Sequence, residues 1–124
     1  MLLNHFFFLS ALNNENGLIN ATLEMNAGHN IFDGHFPGQP VVPGVCMLQM
    51  TREVLEEVLG YKVQLRSADS LKFLAFINPK EINRINIEIQ YKHAEEGSIS
   101  VNSKLYNPET VFFKFKGVFF KKSI

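Results

Sequence analysis

Cysteine is nearly absent from this chain of 124 residues: Cys46 stands alone. One thiol cannot close an internal disulfide, so a disulfide scaffold and a cysteine-based zinc cluster are both excluded. A reducing, cytoplasmic compartment is the expectation. An excess of charge of either sign is also missing. Twelve Lys and Arg balance twelve Asp and Glu, which argues against a nucleic-acid binder that tracks phosphates with a cationic surface. There is no long apolar run. The stretch Phe6-Phe7-Phe8-Leu9 lacks a preceding Lys or Arg and meets Ser10 and then Asn13-Asn14-Glu15-Asn16-Gly17. That is too short for a bilayer, which needs about 20 residues, and it lacks the charged start of a signal peptide. It reads as a strand, and no membrane segment is expected. Repeats and low-complexity linkers are absent, and the length suits one domain over 1–124.

What the sequence does have is alternation. Ile19, Ala21, Leu23 and Met25 interleave with Asn20, Thr22 and Glu24, and Ile85, Ile87, Ile89 and Tyr91 with Asn86, Glu88 and Gln90. Ile99, Val101 and Leu105 follow the same rule, as do Phe113 and Phe115 between lysines. Each run is a strand with one buried face. Another apolar run, Leu71 to Ile77, ends at Asn78-Pro79-Lys80. Short gaps such as Glu95-Glu96-Gly97 and Asn107-Pro108-Glu109 favour antiparallel hairpins. One stretch, Val45 to Leu59, has helical period instead. Met47, Leu48, Met50, Thr51, Val54, Leu55, Val58 and Leu59 fall on one half of the projection. Gln49, Arg52, Glu53, Glu56 and Glu57 fall on the other, which predicts a solvated polar stripe. Pro43 and Gly44 precede the helix and Gly60 stops it. Two strands, a long loop, one helix and about four strands predict an α+β fold, with a mostly antiparallel sheet wrapped round one central helix.

The loop before the helix is where chemistry is concentrated. It carries His29, His35 and three prolines within seven positions, Pro37, Pro40 and Pro43, and proline stiffens a chain by fixing φ. A stiff loop holds a side chain in place at little cost, and His35 sits just ahead of it. The amides of Gly44, Val45 and Cys46 lack partners inside the helix and, with the helix dipole, favour negative charge. Such donors can stabilise a carbonyl oxygen that gains charge during enolisation. Gly44 leaves room for a ligand to approach the backbone. Gln49 has Val45 and Cys46 as its i−4 and i−3 neighbours, an apolar setting on the polar side. The plainer readings are a packing histidine, a stiff connection and a small buried thiol.

The run GHFPGQPVVPGV, from Gly34 to Val45, resembles the signature of the β-hydroxyacyl-acyl-carrier-protein dehydratases, a hotdog-fold family. The resemblance extends to the order of strands and helix, and the stretch Lys72 to Pro79 is similar to the family's strand leading to a proline. Lys80-Glu81 stands where Gly-Asp is usual. The resemblance implies dehydration of a 3-hydroxyacyl thioester, carried on the phosphopantetheine arm of acyl carrier protein, to a trans-2-enoyl thioester in fatty-acid or related acyl-chain synthesis. Neither cofactor nor metal is expected. His35 matches the family's base, and a neutral imidazole accepts a proton near pH 7. Gly44 and Val45 match the positions whose amides polarise the thioester carbonyl, and Phe36, Pro43 and Cys46 flank the same substrate site. The resemblance also implies a homodimer or higher assembly, up to a hexamer, in which the histidine of one subunit meets the acid of the other.

One position departs from the pattern. Fourteen residues after the histidine the family has Glu or Asp; this chain has Gln49. An amide can hydrogen-bond a hydroxyl but cannot act as an acid. Glu53 stands one turn later, about 6 Å along the axis, where typical members have Gln, so the two residue types look exchanged. Three catalytic sets follow: His35 with Glu53 as the acid, His35 with Gln49 orienting the substrate, or neither. The last corresponds to a non-catalytic acyl-thioester binding subunit, including a heterodimer with another hotdog chain that contributes its own acid. A hotdog thioesterase is the remaining alternative.

Overall fold

The computed structural model describes residues 1–33 and 40–122. The motif residues His35 and Phe36 lie outside the described residues. Six strands and one long helix follow one another as β1 (Phe7–Glu15), β2 (Leu18–Met25), α1 (Gly44–Leu59), β3 (Val63–Phe73), β4 (Arg84–His93), β5 (Ser98–Tyr106) and β6 (Val111–Lys121). The strands form a single sheet in the order β1-β2-β4-β5-β6-β3, with every pair antiparallel. This is the α+β hotdog arrangement, with the sheet curved round α1.

Period-2 alternation sets the inner face. Ile19, Ala21 and Leu23 of β2 pair with Ile89, Ile87 and Ile85 of β4, and all six are buried. Val101, Leu105, Phe113 and Phe115 continue that face across β5 and β6. Against it α1 sets Met50, Val54 and Leu55, each with no exposed surface. Fully burying a side chain of this size contributes roughly 1.5–3 kcal/mol before entropy is counted, so this layer is the main cohesion of the molecule. Gly60 ends α1 in the left-handed conformation at φ 80°, with its N–H donating to the Glu56 carbonyl. Asn16 and Gly17, both at positive φ, make the two-residue turn between β1 and β2, the geometry that matches strand twist in a hairpin.

The run expected from Leu71 is the end of a longer strand. β3 begins at Val63, and most of its residues are exposed. It is an edge strand, paired only with β6, and its register shifts between Leu65 and Ser67 and again between Ala68 and Ser70. With little of either face buried and two slips along its length, no alternation is imposed on its first half. The chain leaves the strand after Phe73, although the amides of Leu74 and Ala75 still donate to the Phe112 carbonyl. The other edge strand, β1, has one shift between Leu9 and Ala11.

Candidate functional site

The site is built round the start of α1. Pro43 is the N-cap residue; it offers no side-chain cap, and the first turn contains no acidic residue. The four N–H groups that open a helix lack intrahelical partners. Here Cys46 departs from the expectation: its amide donates to the Pro43 carbonyl at 3.0 Å, while the Met47 amide reaches the same oxygen at 3.3 Å. A tight first turn consumes that donor. Among the described residues nothing accepts from the amides of Gly44 and Val45, so two of the three expected donors remain.

These two residues open onto an apolar cleft of about 920 Å³. Pro43, Gly44, Val45 and Cys46 form its helix side, and Phe73 to Phe76 form the opposite side, at the end of β3. Val45 is 73% exposed and Phe76 83% exposed, so apolar surface faces solvent on both sides. The ring of Phe73 stacks on Phe113 with centroids 5.1 Å apart and lies against Gly44. A Cβ at position 44 would stand 2.8 Å from that ring, so glycine is what lets the aromatic side chain and the helix start approach so closely.

Cys46 is buried in the cleft wall. Burial pushes its thiol above the ordinary range, and the charge of Glu53 adds to the shift. A thiol held protonated is a poor nucleophile, in keeping with a packing role.

The expected solvated stripe on α1 is corrected by the structure. Glu53 has no exposed surface, and Glu56 is also buried. Both carboxylates are tied to backbone amides outside the helix, those of Glu53 near the start of the sequence and that of Glu56 just past the helix. Glu53 accepts from Leu2 N at 3.0 Å and Leu3 N at 2.8 Å through Oε1, and from Leu2 N at 2.9 Å through Oε2. Its Oε2 also accepts from Gln49 Nε2 at 2.9 Å. Glu56 accepts from Val63 N at 2.9 Å, at the start of β3. An unsatisfied buried N–H is costly, and these carboxylates satisfy two of them, at Leu3 and Val63, together with the half-buried amide of Leu2. The projection of the helix counts side-chain polarity and cannot see partners supplied by other segments.

Of the residues picked from sequence, the structure therefore gathers Pro43, Gly44, Val45 and Cys46 at one cleft. It joins Gln49 to Glu53 by a hydrogen bond; neither is among the described residues lining the cleft. His29, left as a packing residue, caps a 3-10 turn at Asn30–Phe32 by accepting the Ile31 amide on Nδ1, and Phe6 packs on both His29 and Phe32. Sequence reasoning missed Phe73 and Phe76 as cleft residues, because Phe73 ends an edge strand without alternation and Phe76 follows it outside any strand.

Comparison with known proteins adds to this geometry. The sequence profile of the ApeI-like dehydratases matches residues 11–109. The 3-hydroxyacyl-[acyl-carrier-protein] dehydratase FabZ of Lactobacillus helveticus is 24% identical over 91 residues, covering 68% of this chain and 62% of that protein. FabZ of Alkaliphilus metalliredigens is 34% identical over 72 residues, 52% of this chain and 49% of that protein. The chain thus spans about half to three fifths of the length of these curated relatives. A chain of the dehydratase heterocomplex ApeI:P from Xenorhabdus doucetiae superposes with a TM-score of 0.72 at 17% identity, covering 92% of this chain and 97% of that one. A hypothetical thioesterase with coenzyme A from Streptococcus pneumoniae gives 0.65 at 12% identity, with 94% and 85% covered. At such identities the structures share a fold, and it is the profile, matched over most of the length, that assigns descent: the chain belongs to the ApeI-like dehydratase family.

Proposed function

We propose that this protein acts on 3-hydroxyacyl thioesters presented by acyl carrier protein and dehydrates them to trans-2-enoyl thioesters. The observation that carries this reading is the uncapped start of α1, where Gly44 and Val45, whose amides have no acceptor among the described residues, line an apolar cleft in a chain of a dehydratase family. Those amides would hold the thioester carbonyl, and charge developing on its oxygen in the enolate would meet two fixed donors and the positive end of the helix. His35, in the signature loop, would take the α proton. The acyl chain would lie along the apolar wall, which Phe36 of the loop would help to line. The C3–O bond then breaks as the Cα–Cβ double bond forms, and the hydroxyl leaves as water with a proton from solvent or from an acid of a partner chain.

Protonation of the leaving hydroxyl is where this chain differs. Gln49 cannot supply a proton, and Glu53 is already engaged by the amides of Leu2 and Leu3. Missing acid catalysis costs about 10²–10⁴-fold in rate. That favours a second reading for the assembled state: a hotdog partner that contributes its own acid at a shared interface, making this chain one subunit of a heterodimer. The exposed edge of β3 and the apolar cleft beside it are the surfaces such a partner, or a second copy, would cover.

The test is direct. Purified protein, alone and with a candidate partner chain, is given 3-hydroxyacyl-carrier protein, and the enoyl thioester is followed by its ultraviolet absorbance. Turnover that His35→Ala abolishes supports the dehydratase reading. Turnover appearing only with the partner supports the heterodimer. Release of free acid in place of enoyl product would make the protein a thioesterase.

A further inference from the structure

The bond between Gln49 and Glu53 fixes which end of the Gln49 amide is available. Glu53 receives hydrogen bonds from N–H groups only: Oε1 takes Leu2 and Leu3, and Oε2 takes Leu2 and Gln49 Nε2. A carboxylate is an acceptor, so the NH₂ end of Gln49 must turn toward it. The planar amide then turns its Oε1 away from Glu53, and no described residue donates to that oxygen.

We infer that Glu53 is a positioning residue that sets the polarity of Gln49, making position 49 an acceptor that takes a 3-hydroxyacyl group and rejects a 3-oxoacyl group. This rests on the proposed reading and, since Gln49 is not among the described residues lining the cleft, on the family resemblance, which puts position 49 where the acid meets the oxygen on C3 of the acyl chain. A hydroxyl there can donate to Gln49 Oε1. A ketone brings a second acceptor and leaves both oxygens unpaired, a mismatch that protein sites penalise heavily. The absent acid thus becomes a reader of the oxidation state of the substrate. The Glu53→Gln change reverses it. Its Oε1 can keep the Leu2 and Leu3 amides, which places NH₂ where Oε2 was. Gln49 must then turn its own oxygen toward position 53 and present NH₂ outward, a donor suited to the ketone.

The experiment titrates the full-length protein by calorimetry with 3-hydroxyacyl and 3-oxoacyl pantetheine amides of one chain length; the amide replaces the thioester and suppresses turnover. The natural sequence is expected to favour the hydroxy ligand by about tenfold, of the order of one unmatched hydrogen bond. Glu53→Gln should shift the ratio of affinities toward the oxo ligand by roughly tenfold or more. Gln49→Met, which leaves the Leu2 and Leu3 bonds to Glu53 in place, should bring the ratio near unity and decides the matter if Glu53→Gln fails to fold. A purely structural role for Glu53 would weaken both ligands alike, and that result overturns the inference, as does an unchanged ratio in either variant. Equal binding of both ligands by the natural protein overturns it while leaving the thioester reading standing. Binding of neither ligand overturns both.

Discussion

The first turn of α1 carries no side-chain cap, no acid and an exposed valine, whereas the turns after it are tied down by Glu53, Glu56 and the Gly60 cap. The same helix is left open at one end and fastened along the rest. A cap at the N-terminus is worth about 1 kcal/mol, and this helix forgoes it where Gly44 and Val45 line a cleft. The stability comes from the buried layer of Met50, Val54 and Leu55 and from carboxylates that hold the N-terminal segment and the start of β3. The contrast separates what keeps the fold from what leaves a surface ready for a ligand.

Several substitutions would break or sharpen that contrast. The largest loss of stability is expected for Glu53→Ala, which strands the buried Leu3 amide and the Leu2 amide and empties a packed site; about 2–4 kcal/mol should be lost, measured by urea unfolding. Glu56→Ala strands the single Val63 amide and should cost about 1–2 kcal/mol in the same assay. At the open end the order inverts. Gly44→Ala forces the half-exposed Phe73 ring to move and should change stability by less than about 1 kcal/mol. It should nevertheless lower acyl-thioester turnover by roughly 10- to 100-fold, since a displaced wall misplaces the carbonyl. The smallest effect concerns Cys46. With its folded thiol raised, the folded state holds that proton more tightly than the unfolded chain. The associated stabilisation is present below the ordinary thiol range and lost as pH rises through the raised value. Disulfide-reagent labelling near pH 8 should therefore run slower on folded protein than on protein unfolded in urea.

Much of this architecture could be read from residue order. Ile85, Ile87 and Ile89 alternate because β4 is a central strand with one face against α1. The helix announced itself by its period and by Gly60, and the structure starts it one residue earlier, at Gly44. β3 was legible only from Leu71 onward, since an edge strand with little buried surface has no need to alternate. The roles of Glu53 and Glu56 were hidden for another reason. Their partners, Leu2 and Val63, come from other segments, and helix projection treats any carboxylate as a group for water. At the candidate site, Pro43, Gly44 and Val45 were legible from the motif, while Phe73 and Phe76 lie at and just beyond the end of an edge strand that carries no alternation.

The register slips in β1 and β3 fall on the two outermost strands of the sheet. A rim crimped in this way offers no straight ladder of free amides and carbonyls to an arbitrary newcomer. Runaway lateral growth into fibrils is thereby discouraged at both borders, and only a neighbour bent to the same irregular contour would find its rungs aligned.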